Sequence, residues 1–209
     1  QRIEPTIFLL MYSLILSIII ALFLSIAAAK NQGKVIDQII RIFCIIGVGI
    51  PGFWLGIMYM ILFCITLKLF PVSGYGDNFM AHIYHLFLPS LTIATALSPV
   101  LTRNLRSALI YEMTADYVDA AKSKGLHDKY IFNKHILKNS LVPTITLLGV
   151  NFAWLIGGTV VIETVFSIAG LGSLMVSSIF ARDYLVVQCI TIFFAVLIIF
   201  TNFIVDILT

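Results

Sequence analysis

Charge is absent from five long stretches of this chain, and no other feature of the sequence restricts its fold so tightly. Residues 5–29 run 25 positions without Asp, Glu, Lys or Arg, 42–67 run 26, 78–102 run 25, 139–162 run 24 and 184–205 run 22. A helix needs about 20 apolar residues to cross the hydrocarbon core of a bilayer, so each stretch is long enough. Backbone amides left unpaired in lipid are costly, which selects helices or closed barrels. The alternation at period two that marks a membrane barrel is missing. The expected fold is all-α, a polytopic membrane protein with five transmembrane helices.

Composition excludes the other classes. The 209 residues are 60% hydrophobic and 11% charged, with a mean hydropathy of +1.06, whereas soluble domains carry about a quarter charged residues. A soluble enzyme, a disordered chain and a nucleic-acid binder are all ruled out. Cys44, Cys64 and Cys189 sit far apart in apolar runs, which is neither a disulfide framework nor a metal spacing. A sixth charge-free stretch, 164–181, has 18 residues, seven of them small or polar. It reads as an interfacial or re-entrant segment. The first stretch is too long for a signal peptide and lacks a basic leader. The chain opens on Gln1 without an initiator methionine and its last stretch ends at Thr209 with no tail, so it is read as trimmed at both ends.

Orientation follows from lysine and arginine placement. With five spans, ten basic residues fall on one side (Lys30, Lys34, Arg41, Arg103, Arg106, Lys122, Lys124, Lys129, Lys134, Lys138) and three on the other (Arg2, Lys68, Arg182). The side with ten is cytoplasmic, so the chain enters from outside and ends inside.

One hydrophilic connection is long. Residues 103–139 carry seven basic and four acidic residues, and long connections in compact proteins are usually functional. The sequence ADYVDAAKSK at 115–124 is rich in helix formers. Asp116 stands near its start and Lys122 and Lys124 near its end, as the helix dipole favours. Gly125 stands where a C-terminal glycine stops a helix. A second short helix is expected over 127–138, with Tyr130, Ile131, Ile136 and Leu137 on the membrane surface. Ala120 and Ala121 leave the first helix thin enough to seat in another protein's groove. A solvated linker is the plainer reading of a charge run, but it leaves the Ala-Ala-x-x-x-Gly pattern unexplained.

The stretch YVDAAKSKGLHDKYIFNKHILKN, residues 117–139, resembles the cytoplasmic loop of the inner-membrane permeases of binding-protein-dependent ABC importers. Asp119, Ala120, Ala121 and Gly125 match that family's Glu-Ala-Ala-x-x-x-Gly signature, with Asp for Glu. Leu137 is followed by Lys138, and proline comes only at Pro143, a variant similar to the oligopeptide, dipeptide and nickel branch. IPGFWLG (50–56), FPVSG (70–74), LPSLT (88–92), TRNLRSAL (102–109), VVIETVF (160–166), AGLG (169–172) and ARDYLVVQ (181–188) resemble the same branch. Its members usually have six spans, and the five here fit the loss of the first helix.

The resemblance implies one permease domain, 1–209, containing a coupling loop, 103–139. It implies a second homologous permease subunit, two cytoplasmic ATPases, an extracytoplasmic binding protein that delivers substrate, and a bacterial inner membrane as the setting. Asp119, Ala120, Ala121 and Gly125 would belong to the helix that docks on an ATPase. The cargo implied is short peptides, with nickel or a metal chelate as the alternative. The sequence contains no Gly-x-x-x-x-Gly-Lys-Ser/Thr phosphate loop. No cofactor is therefore expected in this chain, ATP and magnesium belonging to the partners, and no catalytic residue is assigned.

Other features admit two readings each. Gly47, Gly49, Pro51, Gly52 and Gly56 either interrupt the second span beside a transport path or permit close helix packing. Pro89 and Pro99 raise the same choice in the third. Asn151, Trp154 and Gly158 share a helix face by spacing; they line a pathway, or Asn151 makes an interhelical hydrogen bond. Glu163 and Arg182, expected near the outer surface, are read as an ion pair in preference to a contact with the binding protein. His82 and His85 are three apart, a metal pair in principle and an interfacial pair in preference; no metal site is assigned. Arg103 and Arg106 are explained by snorkelling to headgroups. A secondary carrier or channel would carry ionisable residues in mid-span, and the five stretches hold none there; an intramembrane hydrolase would need a nucleophile with its base or metal ligands at matched depth, and His82 and His85 have no evident partner.

Overall fold

The charge-free stretches fold as helices, and the helices outrun them. The computed structural model describes residues 2–208, which form helices joined by short connections, with no strand among them. In chain order they form α1 (Ile3–Lys30), α2 (Val35–Gly49), α3 (Gly52–Tyr59, continuing as a π-helical stretch Met60–Thr66), α4 (Phe79–Met113) and α5 (Asp116–Ser123). Then come α6 (Asp128–Ile131), a π-helical turn (Phe132–Ile136), α7 (Leu137–Val165), α8 (Leu171–Phe180) and α9 (Tyr184–Leu208). Four helical runs are long and apolar enough to cross a membrane, and the bent pair α2–α3 makes a fifth.

The first charge does not mark the helix end, which corrects two expectations. α4 continues past Arg103 and Arg106 to Met113, 35 residues in all, or about 52 Å at 1.5 Å per residue. The helix expected over 127–138 does not stand apart from the fourth span: α6, the π turn and α7 form one run of 38 residues, Asp128–Val165. Ile131 and Ile136 are buried in protein rather than laid on the membrane surface, while Tyr130 is exposed.

The second span is not one straight helix. α2 and the α3 segment meet at 105°. Ile50 and Pro51 are extended there (ψ 125° and 131°), and proline has no N–H to continue the helix. Of the glycines around this break, Gly47 lies against Pro99, where a Cβ would come within 2.7 Å of the ring. Gly56 fits among Phe166, Thr92 and Ile162. Gly52 faces open space, so close packing does not call for a glycine there.

α1 packs mainly on α4. Ser13, Ser17, Ala21, Ser25 and Ala29 recur at every fourth position of α1, all buried. Small residues at that spacing let two membrane helices approach closely. The Ser13 and Ser17 hydroxyls donate to the carbonyls of Leu9 and Ser13 at 2.6 Å, so they satisfy themselves within α1. The main core gathers Leu9 and Leu10 of α1, Leu86, Leu97 and Leu101 of α4, Leu155 and Ile162 of α7, and Phe166 and Ile168 beyond it. α9 keeps little of its surface inside this core: Leu185, Ile192, Ile199, Phe203 and Ile207 are all exposed, a face suited to lipid or another chain.

Candidate functional site

α5 is built as a short rod with two faces. Its N-terminal turn carries Asp116 and Asp119, favourable at the positive end of a helix. Its end is closed as the sequence predicts. Gly125 is in the left-handed region (φ +78°), its N–H donates to Lys122 O at 2.8 Å, and Leu126 N–H donates to Ala121 O at 3.3 Å. Those two bonds make a Schellman closure. Val118 points inward and is 2% exposed, packed with Ala29 of α1, Leu105 and Leu109 of α4, and Ile131 and Ile136 at the base of α7. The two alanines part company: Ala121 joins this cluster, whereas Ala120 is exposed with Asp116, Asp119 and Ser123.

Polar contacts fix the rod's base. The Tyr117 hydroxyl donates to Glu112 Oε2 at 2.5 Å, and Asn139 Nδ2 donates to the same oxygen at 3.4 Å. Burial, reinforced by the Glu112 carboxylate, pushes the Tyr117 hydroxyl up to about 12. The Lys30 ammonium, at the end of α1, lies 4.6 Å from the centre of the Phe132 ring. A cavity of about 570 Å³ opens beside α5, bordered by Lys30, Val118, Lys122, Asp128 and Phe132.

Trp154 and Gly158 come together at a second cavity, about 320 Å³, with Gly52 and Phe53 at the broken span and Thr92 and Ala96 of α4. Asn151 does not border it. Its amide donates to Leu147 O of its own helix at 2.8 Å and not to a neighbouring helix.

The expected Glu163–Arg182 pair does not form. Glu163 is fully buried and accepts hydrogen bonds from Thr6 Oγ1 at 2.6 Å and from the backbone N–H of Ser173 at 3.0 Å. The N–H of Leu171 donates in turn to Thr6 Oγ1 at 2.8 Å. The carboxylate of α7 and the hydroxyl of α1 together cap the first turn of α8, whose amides would otherwise be unpaired. Gly170 and Gly172 make room for it: a Cβ at Gly170 would run into the Glu163 carboxyl group, and one at Gly172 would lie 2.5 Å from Val160 Cα. Arg182 is exposed and closes the other end of α8 in the left-handed region (φ +58°). At ten residues α8 is too short to span, consistent with the re-entrant or interfacial reading.

Arg106 does more than snorkel. Its guanidinium grips Asp37 with two bonds, 2.6 Å and 2.7 Å, and Gly33 N–H donates to the same carboxylate at 3.0 Å. This pins the start of α2 to α4. His82 and His85 do not converge: their Nδ1 atoms lie 2.7 Å from Tyr75 O and 3.2 Å from Ser73 O. Among the described residues no group of three His, Cys, Asp or Glu is placed to hold a metal.

Comparison with known proteins agrees with this architecture. Residues 21–209 match the model of the family described as the inner membrane component of binding-protein-dependent transport systems. The oligopeptide transport system permease protein AppB of Bacillus subtilis is 37% identical over 99% of this chain and 67% of its own length. The dipeptide transport system permease protein DppB of Lactococcus lactis subsp. cremoris is 34% identical over 100% and 67%. The glutathione transport system permease protein GsiC of Salmonella typhimurium is 34% identical over 100% and 66%. The chain thus spans about two thirds of the length of these relatives. A crystal structure of an amino acid ABC transporter with histidines superposes with a TM-score of 0.70 at 14% identity, over 99% of this chain and 90% of that one, which speaks for the fold alone. On its sequence, its helical architecture and these matches together, the chain belongs to the family of inner membrane components of binding-protein-dependent transport systems.

Proposed function

We propose that this chain is the permease subunit of an ATP-driven importer of short peptides, and that α5 is the element a cytoplasmic ATPase moves. The observation that carries this reading is the two-faced rod. Asp116, Asp119, Ala120 and Ser123 are open for a partner, while Val118 and Ala121 tie the rod to α1, α4 and the base of α7. A short helix is stiff, so displacement of its outer face passes to three membrane-crossing helices at once. Closure of an ATPase pair would then rock those helices and turn the pathway from one side of the membrane to the other. A second homologous permease would complete the pathway, and an external binding protein would deliver the cargo. ATP and magnesium would be bound by the ATPases. The peptide assignment rests on the names of the oligopeptide, dipeptide and glutathione relatives.

The test is substrate-stimulated ATP hydrolysis in the reconstituted complex. Ala120→Glu, on the exposed face, is expected to abolish stimulation by peptide-loaded binding protein while the permease still inserts. Full stimulation would remove α5 from the coupling route. Identification of the molecule carried by the co-purified binding protein tests the cargo: a peptide supports the reading, and a nickel chelate overturns that part of it.

A further inference from the structure

A third cavity, about 550 Å³, opens between α2 and α4 at their lysine- and arginine-rich end and shares no bordering residue with the two already described. Its wall is apolar, made by Ile40, Cys44, Ile45, Val48 and Pro99. Its rim carries three guanidinium groups, Arg41, Arg103 and Arg106. Arg106 is committed to Asp37. Arg41 and Arg103 are exposed and form no ion pair among the described residues. With one carboxylate against three guanidiniums, the rim keeps two uncompensated positive charges. Thr102 borders the same cavity with a buried hydroxyl that has no hydrogen-bond partner.

The two unpaired arginines sit at the membrane boundary. Arg41 immediately precedes one charge-free stretch and Arg103 immediately follows another. Lysine and arginine placement puts them at the level of the inner-leaflet headgroups, with the apolar wall on the side of the charge-free stretches. A cationic rim over an apolar wall complements an amphiphile with an anionic head. Basic pockets between membrane helices on the cytoplasmic side suit anionic lipid headgroups, and guanidinium forks match phosphate oxygens. The volume falls in the range of small-ligand sites.

We propose that this cavity binds an anionic phospholipid of the inner leaflet, its phosphate between Arg41 and Arg103 and the start of an acyl chain along Ile45 and Val48. The site would hold α2 against α4 from the lipid side, as Asp37–Arg106 does from the protein side. It is independent of the cargo.

The experiment is native mass spectrometry of the full-length permease released from nanodiscs of mixed phosphatidylglycerol and phosphatidylcholine. Wild type is expected to retain phosphatidylglycerol preferentially. Arg41→Gln with Arg103→Gln should lower that retention about thirtyfold, given two charges near the surface, with phosphatidylcholine retention unchanged. Lys129→Gln with Lys134→Gln, which border a different cavity, should leave it intact. Both arginines are exposed and Arg106 is left in place, so the double variant keeps its fold, and its phosphatidylcholine retention reports that directly. Equal retention of the two lipids by wild type overturns the proposal, as does indifference to the arginine variant. Displacement of the bound lipid by inorganic phosphate or by a short acidic peptide would assign the rim to a soluble anion and also overturn it.

Discussion

Gly170→Ala is the sharpest test of the Glu163 cap. The backbone at Gly170 is extended (φ −101°, ψ −171°), a conformation open to any residue, so alanine brings no backbone strain. What it brings is a methyl group directed into the Glu163 carboxyl group. The carboxylate must leave, and it then loses its bonds from Thr6 and Ser173. Hydrogen bonds to a charged group contribute about 1.5–3 kcal/mol each, so the loss of both costs about 3 kcal/mol at the lower bound. For a chain of this size each kcal/mol moves Tm by about 2–4 °C, which predicts a fall of about 6–12 °C in thermal unfolding in nanodiscs. Gly157→Ala supplies a control of opposite sign. Gly157 lies inside α7, where a Cβ would meet nothing within 4 Å, and alanine in a helix interior gains about 0.5–1 kcal/mol over glycine. A Gly170→Ala protein as stable as wild type, beside a Gly157→Ala protein that behaves as expected, would refute the cap.

Three further outcomes rest on the same geometry. Asp37→Asn leaves the Arg106 guanidinium without its counter-charge and is expected to destabilise by about 3 kcal/mol; adding Arg106→Gln should recover part of that loss in a double-mutant cycle on Tm. Gly125→Val forces a β-branched residue into the left-handed region at a cost of about 1–2 kcal/mol and should increase hydrogen exchange in α5, whereas Gly125→Asn, which tolerates that region, should not. The Tyr117 and Tyr75 hydroxyls are both pushed from 10.0 to about 12, chiefly by burial and then by Glu112 and Glu4. The folded state thus holds protons that the unfolded chain releases; their stabilisation is complete below pH 10 and lost as pH rises toward 12, so Tyr117→Phe with Tyr75→Phe should flatten stability over that range in alkaline unfolding.

Whatever a local rule decides is legible in the sequence. Freedom from charge places the five crossings, Pro51 marks the broken span, and Gly125 announces the end of α5. Pairing at a distance is not legible. Thr6 and Glu163 are 157 positions apart, and Asp37 and Arg106 are 69 apart. No periodicity links either pair, and Glu163 invites a match to Arg182 only because both flank the same segment. The VVIETVF and AGLG motifs, separate in the sequence, are the two halves of one cap. The extent of α4 and α7 escapes for a related reason: a helix leaving the membrane gains charge without losing its hydrogen bonds. The split of Ala120 from Ala121 follows from the phase of α5 about Val118, which only the packing partners reveal.

Proximity labelling at that split addresses the central claim most directly. In a cysteine-free background, with Cys44, Cys64 and Cys189 replaced, Ala120→Cys and Ala121→Cys are each labelled with a short maleimide carrying a diazirine, which on illumination inserts into whatever neighbour it touches in the assembled complex. Ala120→Cys is predicted to join covalently to the ATPase subunit and Ala121→Cys, packed against the membrane helices, is not. Absence of any adduct at position 120, or equal adducts at both positions, would contradict the view that α5 presents one face to an ATPase and the other to the bundle it moves.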